Sequence, residues 1–174
     1  MDSSHQNVVP YNPEWASLFI SEAEILKPIF ADSLVSIEHI GSTSIPSFPS
    51  KPIIDIGVLI KSHTEAENFI EPLVELGYAF DRELHNRTEF PERHFFRKGE
   101  PTQFHLSIAY ADKAKFWPRQ LAFRDYLRSH SEARDAYAKL KQELIAADPT
   151  GRDTYISGKT EFVNDVLQRA GFNQ

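Results

Sequence analysis

Two neighbouring stretches constrain this chain more than any others. Val35 to Ile40 alternates and is rich in β-branched residues. Ile53 to Ile60 is a nearly continuous apolar run that carries one carboxylate, Asp55. The first pattern is that of a strand, and the second that of a strand buried on both faces. The link between them, Gly41 to Pro52, is too short for a long crossover helix, so the two strands are predicted to be adjacent in one sheet. Asp55 sets a chemical condition as well. A carboxylate in an apolar strand is costly to bury alone, so it must be paired, solvent-facing or metal-bound.

The other elements follow from periodicity. Asn12-Pro13 opens a helix carried by Trp15, Leu18, Phe19, Ala23 and Leu26, which Pro28 should kink or end. Ser62 and Glu65 form a capping box for a second helix that stops at Gly77. Tyr78 to Phe80, Arg93 to Lys98 and Gln103 to Tyr110 read as strands. In the last of these, Phe104, Leu106, Ile108 and Tyr110 share one face. Helices follow over 116–128, from Ser131, and over about 157–170. The expected fold class is α/β (α+β), a small mixed sheet flanked by helices, with residues 1–174 as a single domain.

Composition narrows the function. The chain has 174 residues, no cysteine and a net charge of −6. Thiolate chemistry and Cys-ligated zinc are excluded, and non-specific binding of a nucleic acid is disfavoured. Met1 to Asn7 is polar and no apolar run is long enough to span a bilayer, so no membrane association and a cytoplasmic location are expected. The densest basic region, Arg82, Arg87, Arg93, Arg97 and Lys98, suits a small anion.

Chemistry concentrates in Ile37 to Val58. A turn of Gly41, Ser42, Thr43 and Ser44 leaving a strand exposes N–H groups and small hydroxyls that suit phosphate oxygens. Asp55 on the next strand suits Mg2+ or Mn2+ held against those phosphates. The plainer reading makes the first an ordinary turn and the second a paired carboxylate. His39 is a candidate metal ligand or general base, or else a hydrogen-bonded strand histidine. His105 shares a strand face with Ser107. If the hairpin brought His94 to that side, the two histidines and Asp55 would suit a transition metal. Lys51 precedes the Asp55 strand and suits a phosphate, or solvent. Tyr155 and Lys159 lie one helical turn apart, placed for a nucleotide base or phosphate.

The run Ile37-Glu38-His39-Ile40-Gly41-Ser42-Thr43-Ser44-Ile45-Pro46, followed by Lys51-Pro52-Ile53-Ile54-Asp55-Ile56, resembles the signature of the GrpB family. Val9 to Trp15, Phe123 to Arg128 and Tyr155 to Lys159 are similar to other parts of that family, so the likeness spans nearly the whole chain. It implies a nucleotidyltransferase-like fold, in which Gly41 and Ser42 match the pair that contacts a nucleoside triphosphate and Asp55 matches the first metal-binding acid. It alone makes Arg124 a candidate ligand residue. The second acid should stand at 57, where this chain has Gly57, and the later strand offers His105 and Ser107 in place of a third. Two functions are therefore expected to compete. One is a metal-dependent enzyme transferring a nucleotidyl or phosphoryl group to a small acceptor. The other is an inactive module that binds or senses a phosphorylated ligand.

Overall fold

The computed structural model describes residues 7–83, 93–113, 115–147 and 152–172, without the side chains of 152–156. Among the described residues the chain forms five strands and five α-helices. Helix α1 is Glu14–Phe30, followed by strands β1 (Leu34–Ile40) and β2 (Ile54–Ile60). A 3-10 turn over His63–Phe69 leads into α2 (Ile70–Glu75), then β3 (Tyr78–Phe80), β4 (Arg93–Lys98) and β5 (Phe104–Tyr110). Three helices close the fold: α3 (Phe116–Ser129), α4 (Ser131–Ala147) and α5 (Arg152–Arg169).

The prolines act locally. Asn12 Oδ1 accepts from the Glu14 N–H at 3.0 Å and caps α1. The helix absorbs Pro28 in its last turn and stops at Phe30, before Ala31 takes φ 43°. Pro72 has the larger effect. It cannot donate to the carbonyl four residues back, and its ring crowds that carbonyl. The segment expected as one helix is accordingly a 3-10 turn followed by the short α2.

The strands form one mixed sheet in the order β1-β2-β5-β4-β3. β1 lies beside β2, as expected, in an antiparallel pair, and β2 is parallel to β5. β5 and β4, then β4 and β3, are antiparallel. One face carries Ile54, Ile56, Val58 and Ile60 of β2 with Phe104, Leu106, Ile108 and Tyr110 of β5. It packs on Trp15, Leu26 and Phe30 of α1 and Leu73 of α2. The other face presents Asp55 and Gly57 of β2, His105 and Ser107 of β5, and Arg93, Phe95 and Arg97 of β4, by the period-2 alternation of the strands. Helices α3 to α5 gather around Ile45, Phe48, Leu127, Tyr137 and Val166. The start of α3 lays Phe116 and Trp117 beside Ile40 and Ala109.

Trp117 decides what position 57 can hold. A Cβ on Gly57 would stand 2.9 Å from Trp117 Cζ3 and 3.2 Å from Ile40 Cδ1, inside contact distance. Gly57→Asp, which would restore the second acid, is expected to lower stability by about 1–3 kcal/mol through overpacking. Trp117→Ala in the same chain should recover part of the loss, and thermal melts of the single and double variants measure both.

Candidate functional site

The site starts where β1 ends. Gly41 has φ 69°, in the left-handed region, and leads into a 3-10 turn over Ser42–Ser44. Asp55 lies across from Ile40 in the β1–β2 register. Its carboxylate packs directly on Gly41, because a Cβ there would fall 2.2 Å from Asp55 Oδ2. The turn therefore wraps the acid, and only glycine permits the approach.

Three contacts fix the turn. Ser44 Oγ donates to the Gly41 carbonyl at 2.6 Å, and Thr43 Oγ1 donates to the Ile53 carbonyl at 3.0 Å. Arg128 of α3 donates through Nε and Nη2 to the Ser44 carbonyl, at 3.0 and 2.8 Å. The hydroxyls of Thr43 and Ser44, expected as ligand groups, are thus buried and used by the fold. The Ser42 hydroxyl differs. It accepts from Lys141 Nζ of α4 at 3.2 Å.

Lys141 is only 6% exposed, and its ammonium lies over the rings of Phe48 and Tyr137, at 4.7 and 5.6 Å. Burial pulls its pKa down to about 7, helped by Lys159, opposed by Asp55, and helped again by Lys51. Lys159 of α5 falls to about 8, through burial and then Lys51, again opposed by Asp55. Three lysines thus share one electrostatic neighbourhood with Asp55. Lys51 and Lys159 were legible as candidates, and Lys141 was missed. Its one signal was position: it stands four residues after Tyr137, beside Leu140 on the apolar stripe of α4, where a solvated lysine has no reason to be.

On the other side of Asp55, His105 lies in register on β5, and its Nδ1 donates to Asp55 Oδ1 at 2.9 Å. Arg93 Nη1 donates to Ser107 Oγ at 2.9 Å, and its guanidinium lies over Phe95 and Phe116. Burial lowers the Arg93 pKa to about 10, against the pull of Asp55 and Asp81.

A protein-held metal centre does not fit these donors. Among the described residues no group of three His, Asp or Glu side chains is placed to hold an ion. Asp55 and His105, the two expected ligands, are hydrogen-bonded to each other through Oδ1 and Nδ1, and Trp117 closes position 57.

Other candidates are placed elsewhere. His39 shares the opposite face with Ile56, its partner in register, and not the face of Asp55. It is 8% exposed, stacks on Phe19 at 5.0 Å, and its Nε2 bonds Thr43 Oγ1 at 3.0 Å. That hydroxyl already donates to Ile53, so His39 supplies the hydrogen. Burial drives its pKa to about 4, against the opposing charge of Asp55. His39 braces the turn from behind and is not poised as a base. His94 also faces away from His105, bonding Tyr110 Oη at 2.5 Å and Glu67 Oε1 at 3.1 Å. Arg124 is committed to Glu38, at 2.9 Å, the His39 carbonyl, at 3.0 Å, and Asp125, at 2.7 Å. It ties α3 to β1. The Tyr155 side chain and Arg87 lie outside what is described.

Comparison with known proteins fits this architecture. The family model described as GrpB protein matches residues 5–169. The chain is 37% identical over 177 residues to a UPF0157 protein of Pseudomonas aeruginosa, covering 97% of this chain and 69% of that one. The crystal structure of GrpB from Enterococcus faecalis superposes with a TM-score of 0.84 at 32% identity, covering 94% of this chain and 96% of that one. The Cid1 poly(U) polymerase with Mg 3′-dATP bound gives a TM-score of 0.51 at 16% identity, over 87% of this chain and 49% of the polymerase, a likeness of fold alone. No helix among the described residues is long and apolar enough to cross a membrane. The chain belongs to the GrpB family, and its fold is that of the nucleotidyltransferases.

Proposed function

We propose that this chain binds a nucleoside triphosphate, or another polyphosphorylated small molecule, against the Gly41–Ser44 turn. One observation carries the reading: Lys141, buried, holds its ammonium at 3.2 Å from Ser42 Oγ with two further lysines near enough to depress its pKa. Like charges gathered under cover repel one another and lose hydration. A polyanion relieves both costs at once by supplying acceptors and negative charge. The fold family supplies a precedent, since the polymerase neighbour binds Mg 3′-dATP. A Mg2+ or Mn2+ ion would enter on the ligand's phosphates.

Transfer of a phosphoryl or nucleotidyl group is the second reading. The observation in its favour is the Asp55–His105 pair, standing beside the lysines and partly open to solvent. The closed position 57 counts against the usual two-acid form of that reaction. Release of phosphate or pyrophosphate from ATP, lost in Asp55→Asn, distinguishes the transferase from the binding module.

Calorimetry with ATP and with inorganic tripolyphosphate tests the binding itself. Lys141→Met should weaken both by about 10- to 100-fold, as expected for a charged hydrogen bond worth about 1.5–3 kcal/mol. The same variant should fold at least as well at pH 7. Unfolded lysine titrates near 10.4, so between about pH 7 and that value the unfolded chain holds more protons at residue 141. Stability from this group therefore rises with pH, and the buried charge is a burden below it. Ligand binding has the opposite slope. The anion raises both lysine pKa values, so binding takes up protons above about pH 7 and weakens as pH climbs. Titrations in two buffers of different ionisation enthalpy count those protons. Unchanged affinity in Lys141→Met would defeat the proposal.

Asp55 gives a second check. In the presence of a chelator, Asp55→Asn should bind tripolyphosphate several-fold more tightly, because a carboxylate facing the anion is gone. Calorimetry on the variant reads this directly, and equal affinities would show that Asp55 does not face the ligand.

A further inference from the structure

Asp55, His105 and Arg97 form one row across the sheet, paired in register from β2 to β5 to β4. Adjacent strands are about 4.8 Å apart, so the row leads away from the Gly41 turn on β1. Asp55 therefore divides the site. The lysines lie on one side of it, and a different set of groups lies on the other.

Charge separates the two sides. On the far side two residues are each held by a carboxylate: Arg97 Nη1 meets Asp81 Oδ2 at 2.9 Å, and His105 Nδ1 meets Asp55 Oδ1 at 2.9 Å. Those carboxylates orient the two side chains and satisfy one nitrogen of each. Among the described residues Arg97 Nε and His105 Nε2, like Arg93 Nε and Glu65 Oε2, are buried without a hydrogen-bond partner. Buried polar atoms are nearly always satisfied in native proteins, and exceptions cluster at sites of function. Phe95 separates Arg97 from Arg93 along β4 and packs on His105 at 5.0 Å, lending the subsite an aromatic wall.

The two nitrogens ask for different things. Arg97 Nε is always a donor. With Nδ1 donating its hydrogen to Asp55, Nε2 is the ring nitrogen of His105 left to accept. One group meets both demands: a hydroxyl, whose oxygen accepts from Arg97 and whose hydrogen donates to His105. Directly paired side chains on neighbouring strands stand about 5 Å apart at Cβ, within the span of one such bridge.

We propose that Arg97 Nε and His105 Nε2 form a subsite for an alcohol hydroxyl, belonging to the ribose of the bound nucleotide or to a separate polyol. The subsite extends the proposed function, and rests on it for the assignment of phosphates to the lysine side of Asp55. It is a hydroxyl-reading half set against a phosphate-reading half.

The test uses the full chain with 15N-labelled histidine, the ring signals of His105 being assigned by loss in His105→Asn. The probes are ATP, 2′,3′-dideoxy-ATP, inorganic tripolyphosphate and free ribose. ATP should move the His105 ring signals, and tripolyphosphate should not. If the hydroxyl is the nucleotide's own, dideoxy-ATP binds about 10-fold more weakly than ATP and leaves the signals in place. If it belongs to a separate polyol, ATP and dideoxy-ATP act alike on affinity, and ribose moves the signals saturably beside either. Arg97→Lys, which keeps the charge and removes Nε, should cut the response to hydroxyls at least fivefold while tripolyphosphate affinity stays within twofold. A response to ribose without any binding of tripolyphosphate would uphold this subsite and defeat the phosphate reading. Signals unmoved by both ATP and ribose would overturn the subsite, as would a response that Arg97→Lys leaves intact.

Discussion

The rest of the site depends on the contact of Asp55 with the backbone of Gly41. A side chain at 41 would have its Cβ 2.2 Å from the Asp55 carboxylate, so the acid and the turn exist in this arrangement only because that position has none. The contact sets where the turn begins, and Thr43, Ser44 and Arg128 then hold it there through backbone carbonyls. The Asp55 carboxylate in turn opposes the loss of positive charge on Lys141 and Lys159. The local fold and the local electrostatics thus share one residue pair. Its energetic logic is that a carboxylate in a central strand is tolerable when it borders an open edge and faces cations.

The sheet was legible because its signals are short-range. Alternation in Val35 to Ile40 and the continuous run from Ile53 gave β1 beside β2, and Phe104 to Tyr110 gave the packed face of β5. Which face of β1 belongs to the site was not legible. Glu38 and His39 were bound to point opposite ways, but their parity against Asp55 depends on register, and register places Glu38 across from Gly57 and His39 across from Ile56. The same parity sends His94 away from His105. Lys141 and Arg128 were hidden for another reason. They reach the turn from helices far along the chain, and no local spacing encodes that approach.

Gly57 changes meaning between sequence and structure. Along the sequence it is a missing acid. In the fold it is a packing position, filled from α3 by Trp117 and from β1 by Ile40. Restoring a carboxylate would demand a different α3 as well as a different residue. The space in which a second acid would act is filled, and positive charge near the turn comes from lysines.

That arrangement has a physical consequence. A metal ion leaves with its ligand, but lysines stay, so their repulsion must be borne by the empty fold. The structure moderates it in two ways. Aromatic faces of Phe48 and Tyr137 sit against the Lys141 ammonium, and burial drives Lys141 and Lys159 towards their neutral forms near physiological pH. A site of this kind is partly discharged when empty and would recharge as an anion enters. Its affinity is then coupled to proton uptake, whereas a carboxylate–metal site couples affinity to metal concentration. On the opposite side of Asp55, Arg97 meets Asp81 and His105 meets Asp55, so those two basic groups already have carboxylate partners, and the lysine side is where an anion would gain most.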